Sequence, residues 1–252
     1  MRELKLIALP GIPEVVQGAS LRELFAAAVA RADMGLRAGD ILVVAQKIVS
    51  KAEGRVVHLS SVTPSERALD LAKAVGKDAR LVELILRESR AVLRLKPGVI
   101  VVEHRLGFVM ANAGIDQSNV PGGEGVVLLL PANPDASARK LRDELHAKTG
   151  VVVGVLIIDS FGRAWRNGVT GTAIGVAGVP ALVDLRGHKD RERRALRVTQ
   201  VAVADELAAA ASLVMGQADE GTPVVLVRGF PYALRDGAAN ELLRPEAEDL
   251  FR

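Results

Sequence analysis

Short apolar runs and stretches of helical spacing alternate along the first hundred residues of the chain. The runs Leu6–Leu9 and Ile41–Val44 predict two strands. Apolar residues three and four positions apart predict three helices, over Leu21–Ala32, Pro64–Val75 and Ala79–Arg90. Thr63 is the expected N-cap of the second helix, because Glu66 follows it three residues later.

The pattern becomes richer in strands beyond residue 95. Helices are predicted at Asp135–Lys148, Val198–Met215 and Glu246–Phe251, and strands at Val99–Glu103, Phe108–Asn112, Val126–Leu130, Val151–Ile158 and Val224–Val227. Since no regular strand–helix–strand repeat is present, we predict an α+β fold with mixed and antiparallel sheets and packed helices. The chain is interpreted as one unit over residues 1–252, with a boundary between two subdomains near residue 95.

Composition narrows the chemistry that the chain can perform. The 252 residues are 49% hydrophobic and 25% charged, as in globular proteins, and none is cysteine. Disulfides, thiolate nucleophiles and cysteine-bound metals are therefore excluded, and the four histidines lack metal-site spacing. Only seven residues are aromatic (five Phe, one Trp, one Tyr), which disfavours a surface that stacks nucleic-acid bases.

The net charge of +3 is small and mostly well mixed along the chain. Basic residues concentrate only in Arg186–Arg197, which is either a solvated surface segment or a local anion-binding patch. The longest apolar run, Val151–Ile158, is too short to span a bilayer, and the N-terminus lacks the features of a secretory signal. We therefore expect a cytoplasmic enzyme with no membrane or nucleic-acid partner.

Two polar clusters follow predicted strands and each contains an aspartate. Asn112–Asn119 includes Asp116, and Asp159–Arg163 begins directly after the most apolar strand. Each aspartate alone could be an ordinary turn or cap residue. Two such loops, each with a hydroxyl or amide beside the carboxylate, favour a site for a hard cation, because Mg²⁺ and Mn²⁺ prefer oxygen ligands and bridge nucleotide phosphates to protein.

A glycine-rich segment, Gly168–Gly178, forms the third cluster. Its backbone could approach an anion closely, or its glycines could allow tight packing of a strand or turn against a neighbouring element. It matches neither a Walker loop nor G-x-G-x-x-G, so the phosphate interpretation is weak. Lys51, Arg163 and Arg166 are candidate cations for phosphate charge.

Three long segments in this order carry a family resemblance. They are Gln46–Arg55 (QKIVSKAEGR), Asn112–Val120 (NAGIDQSNV) and Asp159–Arg166 (DSFGRAWR), followed by Ala173-Ile174-Gly175 and Met215-Gly216. Together they closely resemble the coenzyme F420-0:L-glutamate ligase family (CofE), over residues 9 to 229. The resemblance implies a two-domain α+β fold, a homodimer, and GTP-dependent formation of γ-glutamyl bonds on F420-0 and F420-1, with release of GDP and phosphate. It also implies two divalent ions, Mg²⁺ or Mn²⁺, and K⁺ as a monovalent ion.

The same resemblance assigns site residues by motif. Asp116 and Asp159 would hold one divalent ion, Ser160 and Gln217 a second, and Asp116, Asp159 and Lys51 would act in catalysis. The resemblance implies that the segment around Gln217 binds the second ion through a backbone oxygen. Some relatives carry an acid where this chain has Gln217, which matters little for a backbone contact and would weaken the second ion if the side chain binds it. GTP would contact Leu9, Pro10, Gly11, Ile12, Ala45, Gln46, Lys51, Asn119, Met215, Gly216, Gln217 and Gly221.

The residue types suit amide formation driven by a nucleotide. A carboxylate must be activated before an amine can attack it, and an acyl phosphate made from the γ-phosphoryl group of GTP provides that activation. Cations are needed to offset the phosphoryl charge. Two alternatives remain: a metal-dependent nucleotide hydrolase or phosphotransferase without a glutamate acceptor, and a non-enzymatic module that binds a nucleotide or flavin.

Overall fold

A computed structural model describes residues 3–249 as a mixed α+β structure. The helices are α1 (Leu21–Arg31), α2 (Gln46–Ala52), α3 (Glu66–Val75), α4 (Ala79–Arg87), α5 (Pro134–Thr149) and α6 (Val203–Met215). The strands are β1 (Lys5–Ala8), β2 (Ile41–Ala45), β3 (Val56–His58), β4 (Ser89–Lys96), β5 (Val99–His104), β6 (Val109–Ala111), β7 (Val126–Leu128), β8 (Gly154–Arg163), β9 (Arg166–Ala177), β10 (Val183–Asp184), β11 (Gln200–Val201) and β12 (Val224–Arg228). Within these residues no helix is long and apolar enough to cross a membrane.

A five-stranded sheet in the order β1-β12-β2-β8-β9 forms the main layer. Strands β2 and β8 are parallel, and the other neighbours are antiparallel, so the predicted mixed sheet is confirmed. Residues 154–158 of β8 are all buried, as expected for an apolar strand covered on both faces. Helices α5 and α6 pack on β9 and contribute to the larger hydrophobic cluster.

A second hydrophobic cluster is built from residues between Leu59 and Val127. It includes the buried faces of α3 and α4 and of strand β5. Phe108 and Met110, from the same stretch of chain, pack instead in the larger cluster. Residue 95 lies in β4, which pairs with β5. A boundary between two subdomains near that residue stays a prediction.

Several predicted elements of the first half are corrected by the structure. The helix expected to reach Arg90 ends at Arg87, and a strand that we did not predict, β4, follows it. This strand alternates charged and partly buried residues, a weak pattern beside a strongly amphipathic helix. The N-cap of α3 is Ser65 and not Thr63, because the Ser65 hydroxyl accepts a hydrogen bond from the Ala68 amide.

Most of the glycine-rich segment lies in strand β9. A Cβ atom on Gly171 would lie 2.4 Å from the Ala208 carbonyl oxygen of α6, and one on Gly175 would lie 2.5 Å from the Pro134 carbonyl oxygen of α5. These glycines let two helices pack directly against the strand backbone. The packing interpretation is therefore confirmed at these positions.

Two predicted helix boundaries differ near the C-terminal end. Helix α6 begins at Val203 and not at Val198, because Gln200 and Val201 pair with β10. The helix expected over Glu246–Phe251 is a single 3₁₀ turn at Glu246–Glu248, and the last two residues of that expectation lie outside the described residues.

We expect Gly175→Ala to destabilise the protein, because the new methyl group would meet the backbone of α5. Overpacking of this kind costs about 1–3 kcal/mol. Gly162→Ala is the matched control, since a Cβ there meets nothing within 4 Å. Urea unfolding of both variants checks this, and equal stability of the two would contradict the packing argument.

A buried ion cluster joins the two hydrophobic clusters. The Glu88 carboxylate, at the end of α4, accepts hydrogen bonds of 2.9 Å from Arg55 and from Arg105. His104 Nε2 lies 3.5 Å from the same oxygen. Burial alone would raise the pKa of Glu88, but His104 and the two arginines outweigh it and lower the pKa to about 2.

The protein should lose stability in acid through Glu88. Its pKa is lowered from 4.5 to about 2 by folding, so the stabilisation is complete above pH 4.5 and is lost as the pH falls towards 2. We expect this group to account for about 2–3 kcal/mol of that loss. Chemical unfolding from pH 6 to pH 2 should give a shallower slope for Glu88→Gln than for wild type or for the exposed control Glu66→Gln.

Candidate functional site

A cavity of about 1310 Å³ opens at one end of the main sheet. Its walls come from separate parts of the chain, which the fold brings together. They include the loop at residues 12–15, the start of α2, the sheet β4-β5-β6, the loop at residues 114–119, the β8–β9 hairpin, the loop at residues 215–223 and Asp249. The cavity contains most of the predicted site residues.

Asp159 lies on the cavity wall where the parallel pairing of β2 and β8 ends. The last pair is Ala45 with Ile158, so Asp159 is the first residue of β8 beyond that pairing. We expected a loop here, but β8 continues to Arg163 as half of a hairpin with β9. The Asp159 side chain therefore lies on a part of β8 that is paired only with β9, beside the first turn of α2.

Asp116 is held on the opposite wall by backbone and side-chain contacts. Its amide and carbonyl both pair with Leu128, which extends the β7 pairing by one isolated bridge. Its carboxylate accepts hydrogen bonds from the Ser118 amide at 2.9 Å and the Ser118 hydroxyl at 2.8 Å. Lys47 Nζ, from α2, forms an ion pair of 2.6 Å with the other carboxylate oxygen.

The two carboxylates of the cavity differ in their proton affinity. Burial raises the pKa of Asp159 to about 7, and the charge of Asp116 adds to that rise. Burial acts on Asp116 in the same direction, but hydrogen bonds from Lys47 and Ser118 outweigh it and lower its pKa. The predicted convergence of these two aspartates on one cavity is therefore present in the fold.

Helix α2 points polar side chains into the cavity at four-residue spacing. Lys47 and Lys51 are four residues apart, and the Lys51 ammonium is almost fully buried and donates to the Glu14 carboxylate. Gln46 and Ser50 form a second pair, joined by a hydrogen bond of 2.8 Å from the Ser50 hydroxyl to Gln46 Oε1. The side chain of Gln46 also lowers the pKa of Asp159. Gln46 Nε2 is buried and makes no hydrogen bond within the described residues.

The loop after α6 closes another side of the cavity. The Ser160 hydroxyl donates to Gln217 Oε1 at 2.7 Å, and the Asn119 amide donates to the Ala218 carbonyl at 3.3 Å. Met215, Gly216 and Gly221 also line this side. Ser160 and Gln217 are therefore in direct contact, and their role toward a second ion stays a prediction.

Not all predicted nucleotide contacts line the cavity. Ile12, Ala45 and Gln46 do, but Leu9, Pro10 and Gly11 lie outside its lining. Leu9 is fully buried in the main core, and the Gly11 carbonyl accepts a hydrogen bond from Arg31. Of this predicted loop, only Ile12 lines the same cavity as the two carboxylates, and the first three residues lie outside the cavity lining.

The donor set of the cavity fits a divalent ion that is completed by a ligand. No three His, Asp or Glu side chains cluster as a metal site among residues 3–249. Mg²⁺ commonly takes one or two carboxylates and fills its other positions with water and substrate phosphates. Asp116 and Asp159, with the Ser160 hydroxyl and the Gln217 amide oxygen nearby, match that requirement and not that of an all-protein site.

Sequence reasoning missed three residues of the site: Lys47, Glu14 and Ser118. Lys47 lies in the motif Gln46–Arg55, which we used as evidence of the family resemblance. We did not predict a helix there, although residues 46–52 form α2. The four-residue spacing of Lys47 from Lys51 was the available signal, because two lysines so placed on a helix share a face. Arg163 and Arg166, which we considered as phosphate cations, both line the cavity at the hairpin.

The cavity combines two carboxylates, Asp116 and Asp159, with the lysines Lys47 and Lys51 in a mixed α+β structure. Comparison with known proteins places the chain more narrowly. A family model described as F420-0:Gamma-glutamyl ligase matches residues 11–229, and the chain belongs to this family of ligases.

Similar proteins extend over the whole chain. It is 49% identical over 251 residues to the coenzyme F420:L-glutamate ligase of Methanothermobacter thermautotrophicus, which covers 99% of both chains. It is 46% identical to that of Methanopyrus kandleri, covering 99% of this chain and 98% of the relative. The enzyme of Methanocaldococcus jannaschii is 47% identical and covers 85% of each.

Proposed function

We propose that this enzyme joins L-glutamate to coenzyme F420-0, and then to F420-1, through γ-glutamyl amide bonds at the expense of GTP. The observation that carries the proposal is the convergence of Asp116 and Asp159 on one cavity that also contains Lys47 and Lys51. The names printed for the family and its relatives supply the acceptor and the amino acid. We include two divalent ions, Mg²⁺ or Mn²⁺, K⁺, a homodimer and a cytoplasmic location in the same proposal.

The reaction that we propose has two balanced steps. A carboxylate oxygen of the acceptor attacks the γ-phosphorus of GTP, and the bond to the β–γ bridging oxygen breaks to release GDP. The amino group of glutamate then attacks the acyl carbon, loses a proton and expels phosphate, which leaves the amide. When bound, a divalent ion held by Asp116 and Asp159 would offset the negative charge of the phosphoryl group.

The protein's own groups contribute position and charge to these steps. Asp116 and Asp159 are fixed on separate walls, so their oxygens are held without a further loss of conformational freedom. Lys51 is buried beside the predicted nucleotide loop and can exchange Glu14 for a phosphate oxygen. Arg163 and Arg166 add positive charge from the hairpin.

Incubation with F420-0, GTP, Mg²⁺ and glutamate, followed by mass spectrometry of the coenzyme, tests the reaction. We expect successive gains of one glutamyl residue, with one GDP formed for each. GTP turnover that is independent of coenzyme and glutamate would instead support the hydrolase or phosphotransferase. Nucleotide binding without any phosphate release would support a binding module.

Asp159→Asn should abolish ligation and leave the fold intact. The amide keeps the shape of the side chain but loses the charge, and it also removes the repulsion from Asp116. We expect kcat to fall by at least about 1000-fold, with an unchanged or higher melting temperature. Asp143→Asn, on the exposed side of α5, is the control, and near wild-type activity of Asp159→Asn at saturating Mg²⁺ and GTP would reject the assignment.

Lys47→Met should have opposite effects on metal and nucleotide binding. Lys47 occupies one oxygen of Asp116, so it competes with a divalent ion for that carboxylate. Without nucleotide we expect Mn²⁺ to bind about 3- to 10-fold more tightly to the variant, measured by electron paramagnetic resonance. Binding of a fluorescent GTP analogue should weaken, because a phosphate-facing cation is lost, and parallel changes in both affinities would contradict this role.

A further inference from the structure

A basic β-hairpin, residues 183–201, extends from the base of β10 and β11. Beyond these strands its two halves stay joined by backbone hydrogen bonds, including Leu185 to Thr199 at 3.0 Å and Gly187 to Leu196 at 2.8 Å. The tip closes through a turn in which the Arg193 amide donates to the Asp190 carbonyl at 3.0 Å. The basic hairpin is therefore a built element with a fixed register.

All of the protein's excess positive charge is located on the basic hairpin. Residues 184–197 contain six basic and three acidic side chains, an excess of three that equals the net charge of the whole chain. Asp184 pairs with Arg186, and Asp190 pairs with Arg194. Among residues 3–249 no carboxylate pairs with the remaining four exposed cations, Lys189, Arg191, Arg193 and Arg197.

An acidic segment of the same chain adjoins the cavity. After the turn at Ala239–Leu242, Leu243 packs beside Gly107, and the chain then reaches the 3₁₀ turn Glu246–Glu248. Asp249 lines the cavity. Asp184 is the main cause of the raised pKa of Arg186 in the basic hairpin, and the charge of Glu248 adds to it.

The composition of this region favours a peptide-like polyanion over a nucleic acid. The basic hairpin contains no Phe, Tyr or Trp on which a base could stack. The acidic segment next to it carries three carboxylates within four residues, Glu246 to Asp249, and this is the charge pattern of an oligoglutamate. A γ-glutamyl product gains one free carboxylate with every residue added.

We propose that the basic hairpin binds the oligocarboxylate tail of the acceptor or product, and that the acidic segment 246–249 occupies part of the same surface until the tail displaces it. This inference rests on the proposed function for the identity of the tail. The four unpaired cations supply the attraction for the carboxylates of the tail.

Binding of a fluorescently labelled γ-linked hexaglutamate, followed by anisotropy at low and at physiological salt, tests the inference on the full chain. We expect Arg191→Glu/Arg193→Glu to weaken binding about ten-fold at low salt, and by less as salt screens the charges. Arg67→Glu/Lys77→Glu, which changes the net charge equally outside the hairpin, should weaken it less than about two-fold. Binding of the fluorescent GTP analogue should be equal in both variants, which verifies their folding.

Three results would overturn the inference: an equal loss in both double variants, an unchanged affinity in the hairpin variant, or tighter binding of a twelve-nucleotide poly-U RNA than of the peptide by the wild type. Glu246→Gln/Glu248→Gln should strengthen hexaglutamate binding about two- to three-fold by removing the internal competitor. Weaker or unchanged binding in that variant would show that the acidic segment does not compete.

The outcome is separable from that of the proposed function. If the hairpin binds hexaglutamate but the protein cannot ligate glutamate, the proposed binding surface is supported and the proposed reaction is rejected. If the hairpin variant ligates glutamate normally, with the same KM as wild type for F420-0 and F420-1, the proposed binding surface is rejected and the proposed reaction is supported.

Discussion

The parallel pairing of β2 and β8 is the constraint on which the site depends. This pairing ends at Ala45 and Ile158, and each strand then takes a different course. The chain after Ala45 turns into α2, whereas β8 continues with Asp159 along β9. Because both departures begin at the same level of the sheet, the carboxylate of Asp159 and the polar face of α2 meet in one place.

Charge in the cavity is balanced by the protein's own groups. Lys47 neutralises Asp116, Glu14 neutralises Lys51, and burial disfavours the ionised form of Asp159. Each of these arrangements satisfies a group that would otherwise be buried without a partner. A ligand bound as we propose would exchange one set of ion pairs for another, and this balance limits the cost of keeping a strongly polar cavity open.

The main elements of this fold were predictable from the sequence wherever the hydrophobic pattern alone determines the structure. The apolar run of β8 was recognised because covered strands need no alternation, and α5 and α6 have long helical periodicity. Helix α2 was missed because it has only seven residues, and β9 because glycines have low strand propensity. In β9 the tertiary contact with two helices outweighs that propensity.

The two aspartates of the cavity and its cations Lys51, Arg163 and Arg166 were anticipated from the sequence, whereas Lys47 and Glu14 were not. Asp116 and Asp159 stand out because polar residues directly after apolar segments are exceptions to the local pattern. Lys47 and Glu14 carry no such signal, since each is an ordinary surface residue type whose role depends on helix register and on chain segments far apart. A positive charge acquires a function only where the fold places a carboxylate within reach, and for Lys47 that carboxylate is 69 residues further along the chain, at Asp116.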